Sequence, residues 1–84
     1  ASQAADQLLT IKNVRASFVI YEMNDVVNIS ARSFGEINVQ VLMEQLGGGG
    51  HQTMAAAQLK NVTSEEAKEL LISLIEKMSD KGEN

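Results

Sequence analysis

The chain has 84 residues, with seven Lys or Arg against eleven Asp or Glu and a formal net charge of −4. That balance argues against broad affinity for a polyanion, which rests on neutralising many phosphates, but leaves room for a small anion held by a local patch. With no cysteine, disulfides and thiolate metal sites are excluded. At this length one thin-cored domain is expected, burying about 60–65% of its unfolded surface.

No apolar run approaches the roughly 20 residues that span a bilayer, and no charged-then-hydrophobic leader precedes the first patterned segment. The expectation is a cytoplasmic domain without membrane contact. The opening Ala1-Ser2-Gln3 and the polar close Ser79-Asp80-Lys81-Gly82-Glu83-Asn84 read as the ends of a fragment of a longer protein. Lys68, Lys77 and Lys81 fall in an acidic stretch and read as solvated, whereas Arg32 stands among small polar residues in a strand-like pattern.

In chain order, Ala4, Ala5, Leu8, Leu9 and Ile11 recur at spacings of three and four, which predicts a helix ended by Asn13. From Val14 the period becomes two, with Val14, Ala16, Phe18 and Ile20 alternating against Arg15, Ser17, Val19 and Tyr21. Asn24-Asp25 supplies a two-residue hairpin turn. If Met23 faces Val26, Phe18 lies opposite Ala31 and Ile20 opposite Ile29, gathering one apolar face. The other face collects Tyr21, Val19 and Ser17 against Asn28, Ser30 and Arg32, and Ser33 points oppositely at the strand tip. A hydroxyl and a guanidinium on one face suit a phosphate oxygen pair, although a solvated sheet face has the same composition.

Asn38 is an N-cap for a helix whose stripe is Val39, Leu42, Met43 and Leu46, and Gly47 stands where a left-handed C′ residue belongs. Gly47-Gly48-Gly49-Gly50-His51 then leads the backbone to an imidazole. A glycine run of this kind is either a flexible linker or a nest whose N–H groups converge on an anion. The helix end explains one glycine, or two for a tight exit, and leaves at least two without a local reason. The segment from His51 to Leu59 fits helix by alanine content and strand by alternation. Thr63 and Glu66 form a capping box and Val62 and Ala67 a hydrophobic staple for a last helix with the stripe Ala67, Leu70, Leu71, Leu74, Ile75 and Met78. Met43, Met54 and Met78 read as core filler.

Catalysis by this chain alone is not expected. One histidine and the scattered Asp6, Asp25 and Asp80 form no three-ligand metal motif, and no serine has His51 plus an orienting carboxylate at a recognisable spacing. A fold of the α+β class is expected, a small mixed sheet made of an N-terminal hairpin and at least one further strand, covered by helices.

Ser30-Ala31-Arg32-Ser33, a helix entered at Ile37-Asn38-Val39, and then Gly47-Gly48-Gly49-Gly50-His51 with an alanine-rich run resemble the DHH-associated C-terminal domain of the DHH phosphoesterase family. The resemblance covers roughly residues 12–78, and GGGGH-x-T-M-A followed by Ala-Gln-Leu is most similar to the cyclic-di-AMP phosphodiesterase subfamily. It implies a single substrate-binding domain over residues 1–84, with Ser30, Arg32 and Ser33 from the SxRS element and Gly48, Gly49, Gly50 and His51 from GGGH holding a nucleotide or cyclic dinucleotide. It implies further that a two-metal, manganese-type centre lies on an upstream DHH catalytic domain in cis, in a parent that can be membrane-anchored, and that this chain carries no cofactor. The residues from about Ala55 to Lys60 become a strand, and Ala56 stands where the family commonly has glycine. Two other readings stay open, a single-stranded nucleic-acid-binding domain of an exonuclease or nanoRNase and a dimerisation or docking module hinged at Gly47 to Gly50.

Overall fold

The computed structural model describes residues 7–11, 15–35 and 37–83. Strands β1 (Gln7–Ile11), β2 (Ala16–Met23) and β3 (Val26–Ser33) are followed by helix α1 (Val39–Gln45), strands β4 (Gly49–Gly50) and β5 (Met54–Lys60), and helix α2 (Ser64–Glu83). The fold is α+β, with one sheet in the order β1-β2-β3-β5-β4.

Two residues of the hairpin turn settle its geometry. Asn24 and Asp25 have φ of 55° and 64°, the pair of positive values that a type I′ turn demands and that matches the twist of the flanking strands. The register follows as expected, with Met23 opposite Val26, Ile20 opposite Ile29 and Phe18 opposite Ala31. Phe18, Ile20, Val27 and Ile29 are fully buried, and Ala57 of β5 joins them. Val39, Leu42 and Met43 of α1 and Ala67, Leu71 and Ile75 of α2 complete the core over that one face. Leu70, expected in the α2 stripe, is exposed on its flank, while Leu74 is half-buried.

Both helix starts are capped as the sequence implies. Asn38 Oδ1 accepts from the N–H groups of Gln40 at 2.9 Å and Val41 at 3.3 Å. The Thr63 N–H donates to Glu66 Oε1 at 2.8 Å, and the Glu66 N–H to Thr63 Oγ1 at 3.0 Å. Val62 packs against the core beside buried Ala67, closing the staple.

Two expectations are corrected. Residues Gln7 to Ile11 form a strand rather than the end of a helix, pairing antiparallel with β2 from Gln7↔Ile20 to Ile11↔Ala16. A helix of about eleven residues is marginal without tertiary support, whereas the outer edge of β2 offers backbone partners to a whole strand. Ala4, Ala5 and Asn13 lie outside the described residues. The sheet is also antiparallel at every described pairing, not mixed. β3 and β4 do run in the same direction, but the hairpin from β4 inserts β5 between them, so no parallel neighbours meet.

The cap on α1 gives a stability prediction. Replacing Asn38 by Ala should lower the unfolding free energy by about 1 kcal/mol, read as a lower urea midpoint at unchanged slope.

Candidate functional site

The helices cover one face of the sheet, and the opposite face carries a cleft of about 630 Å³. Its floor is two transverse rows set by the strand register. Val19, Ser30, Ala56 and Gly49 are successive partners across β2, β3, β5 and β4. Ser17, Arg32 and Met54 are partners in the second row, which His51 closes by donating its backbone N–H to the Met54 carbonyl at 2.6 Å. All eight residues line the cleft. With strands about 4.8 Å apart and an i, i+2 step of roughly 7 Å, Arg32 and His51 flank Met54, and Ser30 and Gly49 flank Ala56.

The glycine run is a helix cap followed by an edge strand, so the linker and hinge readings are set aside. Gly47 has φ of 89° and donates to the Glu44 carbonyl, and Gly48 donates to the Met43 carbonyl at 2.7 Å. These two bonds, from C′ to C2 and from C″ to C3, make a Schellman motif. A Cβ on Gly48 would strike the Ala56 carbonyl oxygen and come within 2.6 Å of Ala57 Cα. A Cβ on Gly50, whose φ is 146°, would come within 2.5 Å of Ala55 Cα. At Gly49 a Cβ would meet nothing within 4 Å. Three of the four glycines therefore have a structural cause, and only Gly49 has none.

The same bonds limit what the run can offer an anion. The N–H groups of Gly47, Gly48 and His51 already have carbonyl partners. Hydrogen-bonded pairs alternate along an antiparallel ladder. Since His51 bonds across to Met54, the Gly49–Ala56 pair is hydrogen-bonded and the Gly50 N–H turns outward from the sheet edge.

Of the residues singled out from the sequence, Ser30, Arg32, Gly49, Gly50 and His51 meet in this cleft, and Ser30, Arg32 and His51 are exposed in it. Gly48 lies beside a second depression, of about 610 Å³, along the β4–β5 edge next to Gln58 and Lys60. Ser33 does not enter the cleft. It is only 7% exposed on the opposite face, and its hydroxyl lies 3.3 Å from both the N–H and the carbonyl of Gly35. The even-numbered alternation that puts Ser30 and Arg32 outward puts Ser33 inward.

Seven further residues line the cleft that the sequence does not single out as site residues: Ser17, Val19, Ala31, Phe34, Met54, Ala55 and Ala56. Met54, expected as core filler, is 53% exposed, because it shares the outward parity of Arg32, its register partner. Phe34 extends the outward series Ser30, Arg32 by one more step, and that alternation was the signal available for it. Met43 is buried as expected, and the Met78 side chain lies outside the described residues. Ala56 contributes an exposed methyl to the cleft floor where a glycine was expected from the resemblance.

Among the described residues no group of three or more His, Cys, Asp or Glu could hold a metal ion, so the residues present do not fit a two-metal centre. Among the same residues no helix is long and apolar enough to cross a membrane.

An antiparallel sheet closed by two helices on one face and open over a hydroxyl and guanidinium row on the other defines an α+β domain with a single-faced cleft. The chain belongs to the DHHA1 domain family, which it matches over residues 1–80. It is 58% identical over 77 residues to the cyclic-di-AMP phosphodiesterase PdeA of Listeria monocytogenes serotype 1/2a (strain 10403S), covering 90% of this chain and 12% of that protein. It is 61% identical over 71 residues to the cyclic-di-AMP phosphodiesterase GdpP of Geobacillus thermodenitrificans (strain NG80-2), covering 83% and 11%. With the GdpP of Bacillus subtilis (strain 168) the identity is 48% over 82 residues, covering 96% and 12%. The chain thus spans 11–12% of the length of these relatives.

The glycine accounting predicts opposite outcomes at neighbouring positions. Gly48→Ala should destabilise the fold by several kcal/mol or prevent folding, because the colliding atoms are backbone. Gly49→Ala should leave the melting temperature within about 2 °C of the parent. Thermal unfolding followed by circular dichroism compares the two.

Proposed function

We propose that this chain is the nucleotide-holding domain of a DHH-family phosphodiesterase that hydrolyses a cyclic dinucleotide such as cyclic-di-AMP. The observation that carries the reading is the meeting of Ser30 and Arg32 with Gly49, Gly50 and His51 in one cleft. The three relatives named above are called cyclic-di-AMP phosphodiesterases, and those names supply the substrate class.

The chemistry of the cleft suits a phosphodiester. Arg32 brings a fixed positive charge and a planar fork that meets two phosphate oxygens at once. Ser30 adds a hydroxyl one row away. His51 offers a ring nitrogen to a further oxygen or to the sugar. This is positioning and charge neutralisation, the contribution that a binding domain makes to a reaction whose bond-breaking groups lie elsewhere. The metal centre that such phosphodiesterases need belongs, in this reading, to a DHH catalytic domain in the same polypeptide, and this chain supplies no ligand to it.

A local patch also reconciles the site with a net charge of −4. One guanidinium at a shaped cleft is enough for a dinucleotide, whereas a long single strand would need many cations along its track.

In the intact phosphodiesterase, Arg32→Ala should lower kcat/KM for cyclic-di-AMP by about 10- to 100-fold, the range expected for charge-assisted hydrogen bonds. Arg32→Lys should recover only part of it, since the fork is lost. His51→Ala should give a smaller loss in the same assay. Unchanged kcat/KM in both Ala variants would remove the site from this face of the sheet.

A further inference from the structure

Three of the six large apolar residues left exposed among the described residues, Val19, Phe34 and Met54, line this one cleft. Single exposed apolar side chains need no explanation, but their concentration beside Arg32 does. A phosphate makes no use of apolar surface. The other half of a nucleotide does.

We infer that Phe34 is the stacking surface for a nucleobase of the bound nucleotide, with Met54 as its apolar neighbour. The inference rests on the phosphate site proposed above and names the part of the ligand that site leaves unattended. Phe34 is 61% exposed and lies outside the hydrophobic core. Its backbone is nonetheless held from both sides. The Phe34 N–H donates to the Arg15 carbonyl at 2.7 Å, and the preceding Ser33 N–H to the Thr53 carbonyl at 2.9 Å. The Ser33 hydroxyl accepts from the Gly35 N–H at 3.3 Å, bracketing Phe34 within a tight turn. An aromatic ring that the core does not use is thus presented on an ordered backbone at the mouth of a cleft.

The spacing is also right for one nucleotide. Phe34 follows Arg32 by two residues, a step of roughly 7 Å in an extended chain, comparable with the distance from a phosphate to the base of the same nucleotide. Stacking on an aromatic face suits any base, because each has a π surface. The platform adds affinity and orientation, and base choice is left to other groups. Ser33 acts here as a positioning residue. Its hydroxyl sets the turn that carries Phe34, without touching the ligand.

The test is equilibrium titration of the intact phosphodiesterase, kept from turnover by chelation of its metal, with cyclic-di-AMP, comparing the parent with Phe34→Ala, Phe34→Leu, Phe34→Trp and Arg32→Ala. Phe34→Ala should weaken binding by between about 5-fold and 100-fold, the factor that goes with losing one stacked base. Phe34→Leu, which keeps apolar bulk but no π face, should also weaken it. Phe34→Trp should bind at least as tightly as the parent. The added indole emission, read as the difference between Phe34→Trp and the parent, should be quenched as the dinucleotide stacks on it. Exposure of Phe34 keeps these variants folded, which circular dichroism verifies. Binding within about 2-fold of the parent in both Phe34→Ala and Phe34→Leu, beside a clear loss in Arg32→Ala, would overturn the stacking surface alone. No loss in Arg32→Ala would overturn the phosphate site beneath it.

Discussion

The face that Phe18, Ile20, Ile29 and Ala57 bury under α1 and α2 decides, through the two-residue period of a strand, which side chains remain on the other side. Burying each large side chain is worth about 2 kcal/mol, and a one-residue slip of β3 would turn Val27 and Ile29 to water and Ser30 and Arg32 into the core. Register is therefore enforced by the core. The site inherits its layout from that enforcement: Ser30 and Arg32 face outward because Ile29 and Ala31 must face inward. The same logic extends through β5, where buried Ala57 fixes Ala56 and Met54 on the open face.

The glycine run shows a second layer of the same economy. Gly47 ends α1 in a left-handed conformation, and Gly48 and Gly50 let the backbone pass against β5 closer than any side chain allows. Three structural requirements thus bring the chain to Gly49, where space is open, and to His51, where a side chain returns. An anion approaching this edge meets fewer free N–H groups than a glycine nest would provide, because the helix end and the ladder already engage most of them. Under the proposed function, most of the charge recognition would fall on Arg32.

Much of this was legible from residue order alone. The β2–β3 register followed from the Asn24-Asp25 turn and the alternation of Phe18, Ile20, Ile29 and Ala31, and both caps followed from Asn38 and the Thr63–Glu66 pair. These are local or nearly local features, each with its own chemistry. β1 was not legible, since its spacing of leucines fits a helix and its partner edge exists only once β2 is formed. The steric reasons for Gly48 and Gly50 were hidden for the same cause, because the atoms they avoid belong to β5. The inward turn of Ser33 is legible in the alternation, and only the resemblance to the SxRS element groups it with Ser30 and Arg32. Methionine's apolar character points Met54 to the core, and only its pairing with Arg32 shows that it faces out.

The central claim is that the open face of the sheet, and not its edge or the helices, receives the nucleotide. Amide chemical-shift mapping of the isotopically labelled 84-residue chain during titration with cyclic-di-AMP addresses it most directly. The account predicts saturable shifts clustered at Ser30 to Phe34, Gly49 to His51 and Met54 to Ala56, with the amides of α2 unmoved. Shifts confined to α2 or to the Gln58–Lys60 edge, or none at millimolar dinucleotide, would contradict it.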